Sequence, residues 1–578
     1  MELLLRLRHG NRQPTDVRVE IDPAQPATRL AAAIAEYLGI SGLDVAPPLF
    51  IARTGEGIDE DLPVGEAGIL TGDEIIVGPD ERPPRPPPLP ARGVSADVLA
   101  GPDSGRSAVF DQGVYLVGQD SVCDLRLSDT NVARTHLRVE VGRDWTVTVS
   151  LHPDGAGGGD EVAVHLNGRE MTGPAAVGND DVVTVGVTRL AFRQFVRPEE
   201  EVRARLGGID FHRTPYRAER ILPVEFERLG PIPSPVEPRR FQALSAVAPL
   251  VAGLALYAFT GQAQFLVLTL ISPLVMVASW VEERRSGRRG RVQELARFDE
   301  RLESRRRDVD AALEAERVAR LRAAPDLADL ARRAELRTID LWPRSRGSDG
   351  FLSVRVGHGE VRTLIKAPLD SGGGDELRSR AAEALAHHAT LRGVPVTCGL
   401  TEMGVLALHG NAAEVDEAVG AIAMQIACLH TPEDLVLAAA IGPDRALADW
   451  LKWLPHSRSA SSPIGGTQVT TTPEGARRLL GELDATATTR GGGSVGVGDP
   501  RWPWVVLFLD SDLEPDPALV SRLLDRCPGA GVSVVWLSTN GSRVPHQARA
   551  IVDCRGDGAP ARLWFTDPGR PEQEMELA

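Results

Sequence analysis

The sequence predicts a multidomain chain: a small α+β domain, an all-β sandwich, a transmembrane helical hairpin, a helical stalk and an α/β domain. Three observations predict this order. Short alternating segments with glycine and aspartate turns fill residues 1–196, and two long uncharged stretches fill residues 241–281. After residue 346, runs of apolar residues alternate with helical segments, which is typical of a parallel sheet covered by helices.

Composition excludes several classes of protein. Apolar residues make up 42% and charged residues 25% of the 578 positions, which is typical of a folded chain with several domains. The formal net charge of −16 argues against a nucleic-acid partner. The five cysteines lie far apart, which argues against a disulfide framework and a cysteine zinc site, and no metal ligands are predicted. The N-terminus lacks the long apolar segment of a cleavable signal peptide.

Residues 1–80 combine two alternating strands, a helix over about 27–38 and a final GDEIIV strand. This order resembles a ubiquitin-like β-grasp domain. The resemblance implies a module that binds protein surfaces, and a spacer domain is the alternative. Residues 81–95 are rich in proline, which fixes φ and removes backbone donors, so a stiff linker is predicted.

Residues 96–196 show the short strands and turns of an all-β domain. The stretch VYLVGQDSVCDLRLSDTNVARTHLRVEV, with a later VHLNGREM, resembles a forkhead-associated (FHA) domain. That family is a β-sandwich whose loops bind phosphothreonine peptides through Gly-Arg, Ser-Arg-x-His and Asn-Gly motifs. The matching positions give the candidate phosphopeptide-binding residues of this chain, which are Gln119, Arg134, His136, Asn167 and Gly168.

Two of the FHA positions depart from the family's pattern. Gln119 offers a neutral amide in place of the guanidinium, and Ala133 has no side-chain donor in place of the serine. Each lost charge-assisted hydrogen bond to phosphate removes roughly 1.5–3 kcal/mol. The sequence therefore predicts an FHA fold with weakened phosphothreonine binding, in which His136 supports its loop. A phosphoprotein partner stays open as an alternative.

Two adjacent uncharged stretches, 241–260 and 265–281, determine the prediction for the middle of the chain. At about 1.5 Å per helical residue each spans roughly 25–30 Å, near the thickness of the bilayer core. Arginines flank the pair on both sides and the connecting loop is uncharged, so both flanking regions are expected in the cytoplasm. We therefore predict a cell-membrane protein with two transmembrane spans and the lipid bilayer as a partner. The alternative is a buried helical hairpin.

The predicted hairpin is preceded by a juxtamembrane segment, 197–240, and followed by a helical stalk, 282–345. In the stalk a narrow apolar stripe that includes Phe298 and Leu313 runs through dense arginine and glutamate, which is typical of a solvated helix with one packed seam. Residues 346–578 alternate apolar strands with helices and predict a doubly wound α/β domain.

The α/β domain has the outline of a P-loop fold without its key residues. The strand VLALHG ends at Gly410, where a phosphate loop would begin, and WVVLFLDSD places Asp510 and Asp512 where Mg²⁺ is normally held. The lysine and hydroxyl of a P-loop are missing, and Asp416 and Glu417 would repel a triphosphate. We therefore predict a degenerate P-loop-like domain without catalytic residues, with neither ATP nor Mg²⁺ as a cofactor.

The order of the parts, together with LWPR, DGFLSVRVG and LKWLPH, resembles the front half of FtsK/SpoIIIE-type membrane ATPases of type VII (ESX/WXG100) secretion. In that family the first ATPase-like domain commonly lacks catalytic residues and motor domains follow it. The resemblance implies a non-catalytic, membrane-anchored scaffold or coupling component that assembles with secretion-system membrane proteins and ATPase motor domains, as a homo-oligomer. The alternatives are a phosphothreonine-reading membrane receptor and an ATP-driven translocase subunit that is active only with partner motor domains.

Overall fold

The computed structural model describes most of the chain. The described residues are 1–40, 46–78, 83–85, 90–153, 163–196, 204–205, 208–209, 221–234, 251, 254–255, 258–259, 261, 264–338, 340–491, 502–539, 543–556, 559–567 and 572–577. They form two compact units, each with its own hydrophobic core. The first unit comprises residues 1–220, 321–359 and 395–578, and the second comprises residues 221–320 and 360–394.

The N-terminal domain is a five-stranded sheet packed on one helix. Its elements are β1 (Glu2–Arg8), β2 (Thr15–Glu20), α1 (Ala27–Leu38), β3 (Leu49–Ile51), β4 (Glu56–Gly57) and β5 (Glu74–Val77). The strand order is β2-β1-β5-β3-β4, with β1 and β5 parallel at the centre. Because side chains alternate along a strand, Leu3, Leu5 and Leu7 all point into the core beside Leu30 and Ile34.

The second domain is a sandwich of two antiparallel-rich sheets. Its strands are β6 (Arg92–Ala100), β7 (Ser107–Phe110), β8 (Gly113–Gly118), β9 (Leu125–Arg126), β10 (Leu137–Val141), β11 (Val147–Leu151), β12 (Val164–Leu166), β13 (Arg169–Glu170), β14 (Ala175–Val177), β15 (Val183–Val185) and β16 (Thr188–Val196). The sheet orders are β14-β11-β10-β8-β9 and β13-β12-β15-β16-β6-β7. Phe110 and Phe192 are buried between them. The first strand begins at Arg92, inside the segment predicted as linker, because residues 93–98 are buried.

The rest of the chain contains the long helix and the largest sheet. The strands are β17 (Ala204–Arg205), β18 (Gly208–Ile209), β19 (Val224–Glu225), β20 (Ser353–Arg362), β21 (Ile365–Lys366), β22 (Thr390–Gly399), β23 (Val405–Gly410), β24 (Leu435–Ala440), β25 (Val469–Thr470), β26 (Trp504–Asp510), β27 (Val532–Ser538), β28 (Ala550–Cys554), β29 (Ala561–Phe565) and β30 (Gln573–Leu577). The helices are α2 (Gln264–Ala323), α3 (Leu327–Leu336), α4 (Asp375–Leu385), α5 (Leu400–Met403), α6 (Ala412–Leu429), α7 (Ala446–Leu451), α8 (Pro473–Gly491) and α9 (Pro517–Ala530).

The largest sheet has ten strands in the order β22-β20-β30-β29-β28-β23-β27-β26-β24-β25. The six strands from β28 to β25 pair in parallel, which agrees with the predicted parallel α/β sheet. The strands β29 and β30 extend it in the antiparallel sense. Every residue of β24, β26 and β27 is buried, as expected for parallel strands covered on both faces.

The second unit is built on α2. The predicted apolar stripe forms a core in which Phe298, Leu302 and Val309 pack with Ile365 and Leu385. Glu316 of the same helix is buried and accepts hydrogen bonds from the Leu364 backbone N–H at 3.1 and 3.2 Å.

The prediction of a transmembrane hairpin is contradicted. Among the described residues, no helix is both long enough and apolar enough to cross a membrane. Most of the first predicted span, 241–260, lies outside the described residues, as does most of the predicted juxtamembrane segment. The second span, 265–281, is the start of α2, which continues unbroken into a segment dense in arginine and glutamate. The same finding contradicts the predicted membrane localisation with two spans.

Candidate functional site

The carboxyl ends of three parallel strands meet at one edge of the large sheet. The strand β23 ends at Gly410, β26 ends at Asp510, and the chain after β24 leads to Arg445. In open α/β sheets this edge is where ligands bind. The structure therefore brings Gly410, Asp510 and Asp512 to the edge at which the sequence predicted a degenerate nucleotide site.

Gly410 has a packing role at this edge. Its φ is 127°, and a Cβ atom at this position would lie 2.0 Å from the carbonyl oxygen of Cys554. Cys554 ends the neighbouring strand β28, so only glycine allows the two strand ends to approach this closely. The glycine that begins the P-loop outline is thus required by the sheet itself.

The start of α6 is capped by its own chain. Asn411 Oδ1 accepts from the backbone N–H groups of Ala413 at 3.0 Å and Glu414 at 3.4 Å. The N–H of Asn411 donates to the Cys554 carbonyl at 2.6 Å. Phosphates bind at the start of a helix through the backbone N–H groups of its first turn that have no partner within the helix. Here a side-chain cap uses two of them.

Arg445 is the residue that the sequence reasoning missed. Its Nε lies 2.8 Å from Asp510 Oδ2, its Nη1 lies 2.7 Å from Asp416 Oδ1, and its Nη2 lies 3.9 Å from Asp512 Oδ2. The side chains of Arg445 and Asp510 are only 8% and 1% exposed. The guanidinium therefore holds a buried positive charge among three carboxylates, two of which, Asp510 and Asp512, occupy the positions where Mg²⁺ is held in an intact P-loop protein.

The electrostatics of this cluster keep the guanidinium charged. Burial alone would lower the pKa of Arg445, but its hydrogen bonds to Asp510 and Asp416 outweigh burial and raise that pKa above its ordinary value. Asp510 also accepts from the N–H groups of Gly442 at 3.3 Å and Asp512 at 3.0 Å. With these bonds both of its oxygens are occupied. Asp512 is about half exposed and lies 3.7 Å from Arg543 Nη1.

The FHA-like loops bring Gln119, Arg134 and His136 together. The backbone N–H of Gln119 donates to the Ala133 carbonyl, and a Cβ atom on Gly118 would lie 2.3 Å from the Arg134 carbonyl oxygen. The Gln119 amide Nε2 donates to the Asp129 carbonyl at 2.7 Å.

His136 and Arg134 differ sharply in their surroundings. His136 is buried and its Nδ1 accepts from the Ala133 N–H at 2.9 Å, so it supports the loop. Arg134 is exposed, and its charge acts on the nearby Asp120, whose pKa lies below its usual range because the Val122 N–H and the Ser121 hydroxyl donate to it and Arg134 attracts its charge.

Asn167 and Gly168 lie on a separate turn. They form the two-residue hairpin between β12 and β13, with φ values of 52° and 78°, and Asn-Gly is the preferred pair for such a turn. The Asn167 amide donates to Asp181 Oδ1 at 2.7 Å and accepts from the Val182 N–H at 3.0 Å. Phosphopeptide binding by the five candidate residues stays a prediction, as does nucleotide binding at Gly410, Asp510 and Asp512.

Comparison with known proteins gives one family match and several relatives. Residues 97–195 match the family described as the cytoplasmic domain of an inner membrane component of the type III secretion system. The ESX-4 secretion system protein EccC4 of Mycobacterium tuberculosis is 34% identical over 124 residues, which are 20% of this chain and 10% of that protein. The ESX secretion system protein EccC of Thermomonospora curvata is 30% identical over 123 residues, 20% of this chain and 9% of that protein.

Two solved structures that are similar to part of the chain are an FHA domain and a domain of a type III secretion protein. The FHA domain of CT664 from Chlamydia trachomatis is 25% identical and covers 18% of this chain and 99% of its own, with a TM-score of 0.16. The cytoplasmic domain of the type III sorting platform protein PscD from P. aeruginosa is 20% identical. The match covers 22% of this chain and 98% of that domain, with a TM-score of 0.15.

The fold and these matches show an FHA-like domain and, over part of the chain, a similarity to secretion-system proteins. The predicted resemblance to the FtsK/SpoIIIE-type ATPases of type VII (ESX) secretion is confirmed over the matched part, where the relatives are ESX secretion proteins named EccC. The chain spans about a tenth of the length of these relatives.

Proposed function

We propose that this chain is a non-catalytic scaffold or coupling component of a type VII (ESX) secretion system, which assembles with ATPase motor domains and other secretion proteins. The observation that carries the proposal is the position of Arg445, with Nε 2.8 Å from Asp510 and Nη1 2.7 Å from Asp416. In this proposal the α/β domain binds partner proteins at its surface and does not hydrolyse nucleotide.

The charges at the sheet edge support the absence of hydrolysis. A working site needs a metal ion and a lysine to neutralise the phosphates. Here Asp510 has its oxygens filled by Arg445, Gly442 and Asp512. The N–H groups at the start of α6 are capped by Asn411. A triphosphate would have to compete with Asp510 and Asp416 for Arg445, and the carboxylate of Glu417 at the start of α6 would repel it.

The FHA-like domain supplies the binding surface in this proposal. Its loops are ordered by their own backbone and amide hydrogen bonds, so they present a fixed shape to a protein partner. Arg134 is the exposed charged group among the candidate residues. We propose that this domain recruits a protein partner, with Arg134 attracting an acidic or phosphorylated segment.

The decisive experiment measures Mg·ATP binding and hydrolysis by the purified full chain. We expect no Mg·ATP-dependent rise in the melting temperature and no turnover above that of the Asp510→Ala variant. Turnover by the isolated chain that Asp510→Ala abolishes would contradict the scaffold proposal. Turnover that arises only after a partner motor domain is added, and that is lost in Asp510→Ala, would favour the translocase-subunit alternative.

A further inference from the structure

The N-terminal β-grasp domain contacts the α/β domain through a shared carboxylate. Asp16 on β2 accepts from Arg6 of its own domain, Nε to Oδ1 at 2.8 Å. It also accepts from Lys452, Nζ to Oδ2 at 2.6 Å. Lys452 follows directly after α7 in the α/β domain. One carboxylate thus joins cations of two domains, and Asp16 and Lys452 are 436 residues apart in the chain.

An indole completes the cluster. The guanidinium carbon of Arg6 lies 5.8 Å and the Nζ of Lys452 lies 5.5 Å from the centre of the Trp453 ring. Cations within about 6 Å of an indole are attracted by its ring electrons. The turn at Gly72 reaches the same side chain, since a Cβ atom on Gly72 would lie 3.9 Å from Trp453 Cβ. The β-grasp domain therefore meets Trp453 from two of its segments.

The charges on the two surfaces are complementary. Burial would raise the pKa of Asp16, but hydrogen bonds from Arg6 and Lys452 outweigh it and lower that pKa below its usual range. Asp449 attracts Arg6, and Glu2 attracts Arg458. Acidic and basic groups of each domain thus face groups of opposite sign in the other, which favours one docking geometry over others.

We infer that Lys452 and Trp453 form a docking site for the β-grasp domain of the same chain, which is held there as a reversible latch. The side chains of Arg6, Asp16 and Lys452 keep 36%, 31% and 36% of their surface exposed. Exposed ion pairs are weak and screened by salt. Docking persists because the two surfaces belong to one chain, which raises their effective concentration. Opening of the latch frees Trp453 and its flanking cations, a composition typical of protein-binding surfaces.

The sequence itself offers a sharp test, because Lys366 and Lys452 are its only lysines. A zero-length carbodiimide reagent joins a lysine amine to a carboxylate only when the two are in contact. In the full chain at about 0.01 M salt we expect an Asp16–Lys452 cross-link, and at about 1 M salt its yield should fall at least about fivefold. Trp453→Ala should lower the yield similarly, whereas Trp502→Ala removes another indole of the same domain and should not.

A second measurement does not depend on chemical reaction of the Lys452 amine. Hydrogen exchange of the 70–73 turn in the full chain should accelerate about threefold or more in Lys452→Glu and return in Asp16→Lys combined with Lys452→Glu. Glu20→Lys, on the same exposed face of β2, is the matched control and should leave exchange unchanged. Absence of the cross-link, a yield independent of salt, or no acceleration in Lys452→Glu would overturn the latch. Cross-links between chains of different isotopic mass would place the docking between two copies and would also overturn it.

Discussion

At the residue scale, Arg445 shows how one buried guanidinium fixes the edge of a sheet. It neutralises Asp510, which is 1% exposed, and it also bonds Asp416 on α6. A carboxylate in such a position is costly without its partner, because water cannot solvate it. The arginine therefore contributes to the stability of the strand ends as well as to their charge.

The change Arg445→Met should lower the free energy of unfolding of the α/β domain by about 3–5 kcal/mol, because it leaves Asp510 buried without a cation. Urea unfolding followed by tryptophan fluorescence measures the loss. Arg543→Met is the control, since that guanidinium is 44% exposed and should change the value by less than about 1 kcal/mol. Combining Arg445→Met with Asp510→Leu should recover most of the loss. A loss as small as that of the control would contradict this account of the pair.

His456 gives the fold a dependence on pH. It is 1% exposed, and burial lowers the pKa of its ring to about 4, although its bond to the His430 carbonyl at 2.8 Å opposes the shift. The unfolded chain binds a proton below about pH 6.5 while the folded chain does not, so stability is complete above that pH and is lost as pH falls toward 4.

Between pH 7 and pH 4.5 this one ring should reduce the free energy of unfolding by roughly 2–3 kcal/mol. Unfolding curves measured across this range, for the natural chain and for His456→Gln, give the contribution as the difference between their slopes. Parallel pH profiles for the two proteins would show that His456 does not titrate in this way.

At the scale of elements, α3 is held to the FHA-like sandwich through charge. Asp326 caps α3 by accepting from the Asp329 N–H at 2.9 Å, and it accepts from Arg193 of β16 at 3.2 Å. Arg193 also bonds Asp97 of β6, and Arg332 of α3 reaches the same carboxylate at 3.3 Å. Asp326 thus caps the start of α3 and also binds the helix to the sandwich.

Two substitutions of Asp326 separate its role as the cap of α3 from its role as the ion-pair partner of Arg193. Asp326→Ala should cost about 3–5 kcal/mol in urea unfolding, because it leaves Arg193 short of a buried partner and the helix without a cap. Asp326→Asn keeps a capping oxygen and should cost about 1 kcal/mol less. Asp180→Ala breaks the exposed Asp180–Arg322 pair and serves as the control, with a change below about 1 kcal/mol. Equal losses for the alanine and asparagine variants would exclude a capping contribution.

At the scale of the whole molecule, the local patterns predicted local structure. Period-two alternation predicted the first strands, and the helix predicted over about 27–38 is confirmed as α1 (Ala27–Leu38). Apolar strands alternating with helices predicted the parallel sheet. Each of these signals lies within one element, which is why the sequence alone carries it.

These patterns did not predict contacts between residues that are far apart in the sequence. Arg445 meets Asp416 and Asp510 across 29 and 65 residues, and a lone arginine in a polar turn gives no sign of such partners. The antiparallel extension through β29 and β30 depends on pairing that no periodicity encodes. The transmembrane prediction was wrong because, within the described part of the chain, no helix is both long and apolar enough to cross a membrane, and the second predicted span is the start of the 60-residue helix α2.

The guanidinium at the sheet edge also limits how this chain can change over generations. A single substitution that removes Arg445 leaves Asp510 buried without a cation, beside the partly exposed carboxylates of Asp416 and Asp512. A lysine introduced while Arg445 is present enters a turn whose acids already have a cation. In the proposed scaffold function, a gain of nucleotide hydrolysis at this edge would therefore need several coordinated substitutions.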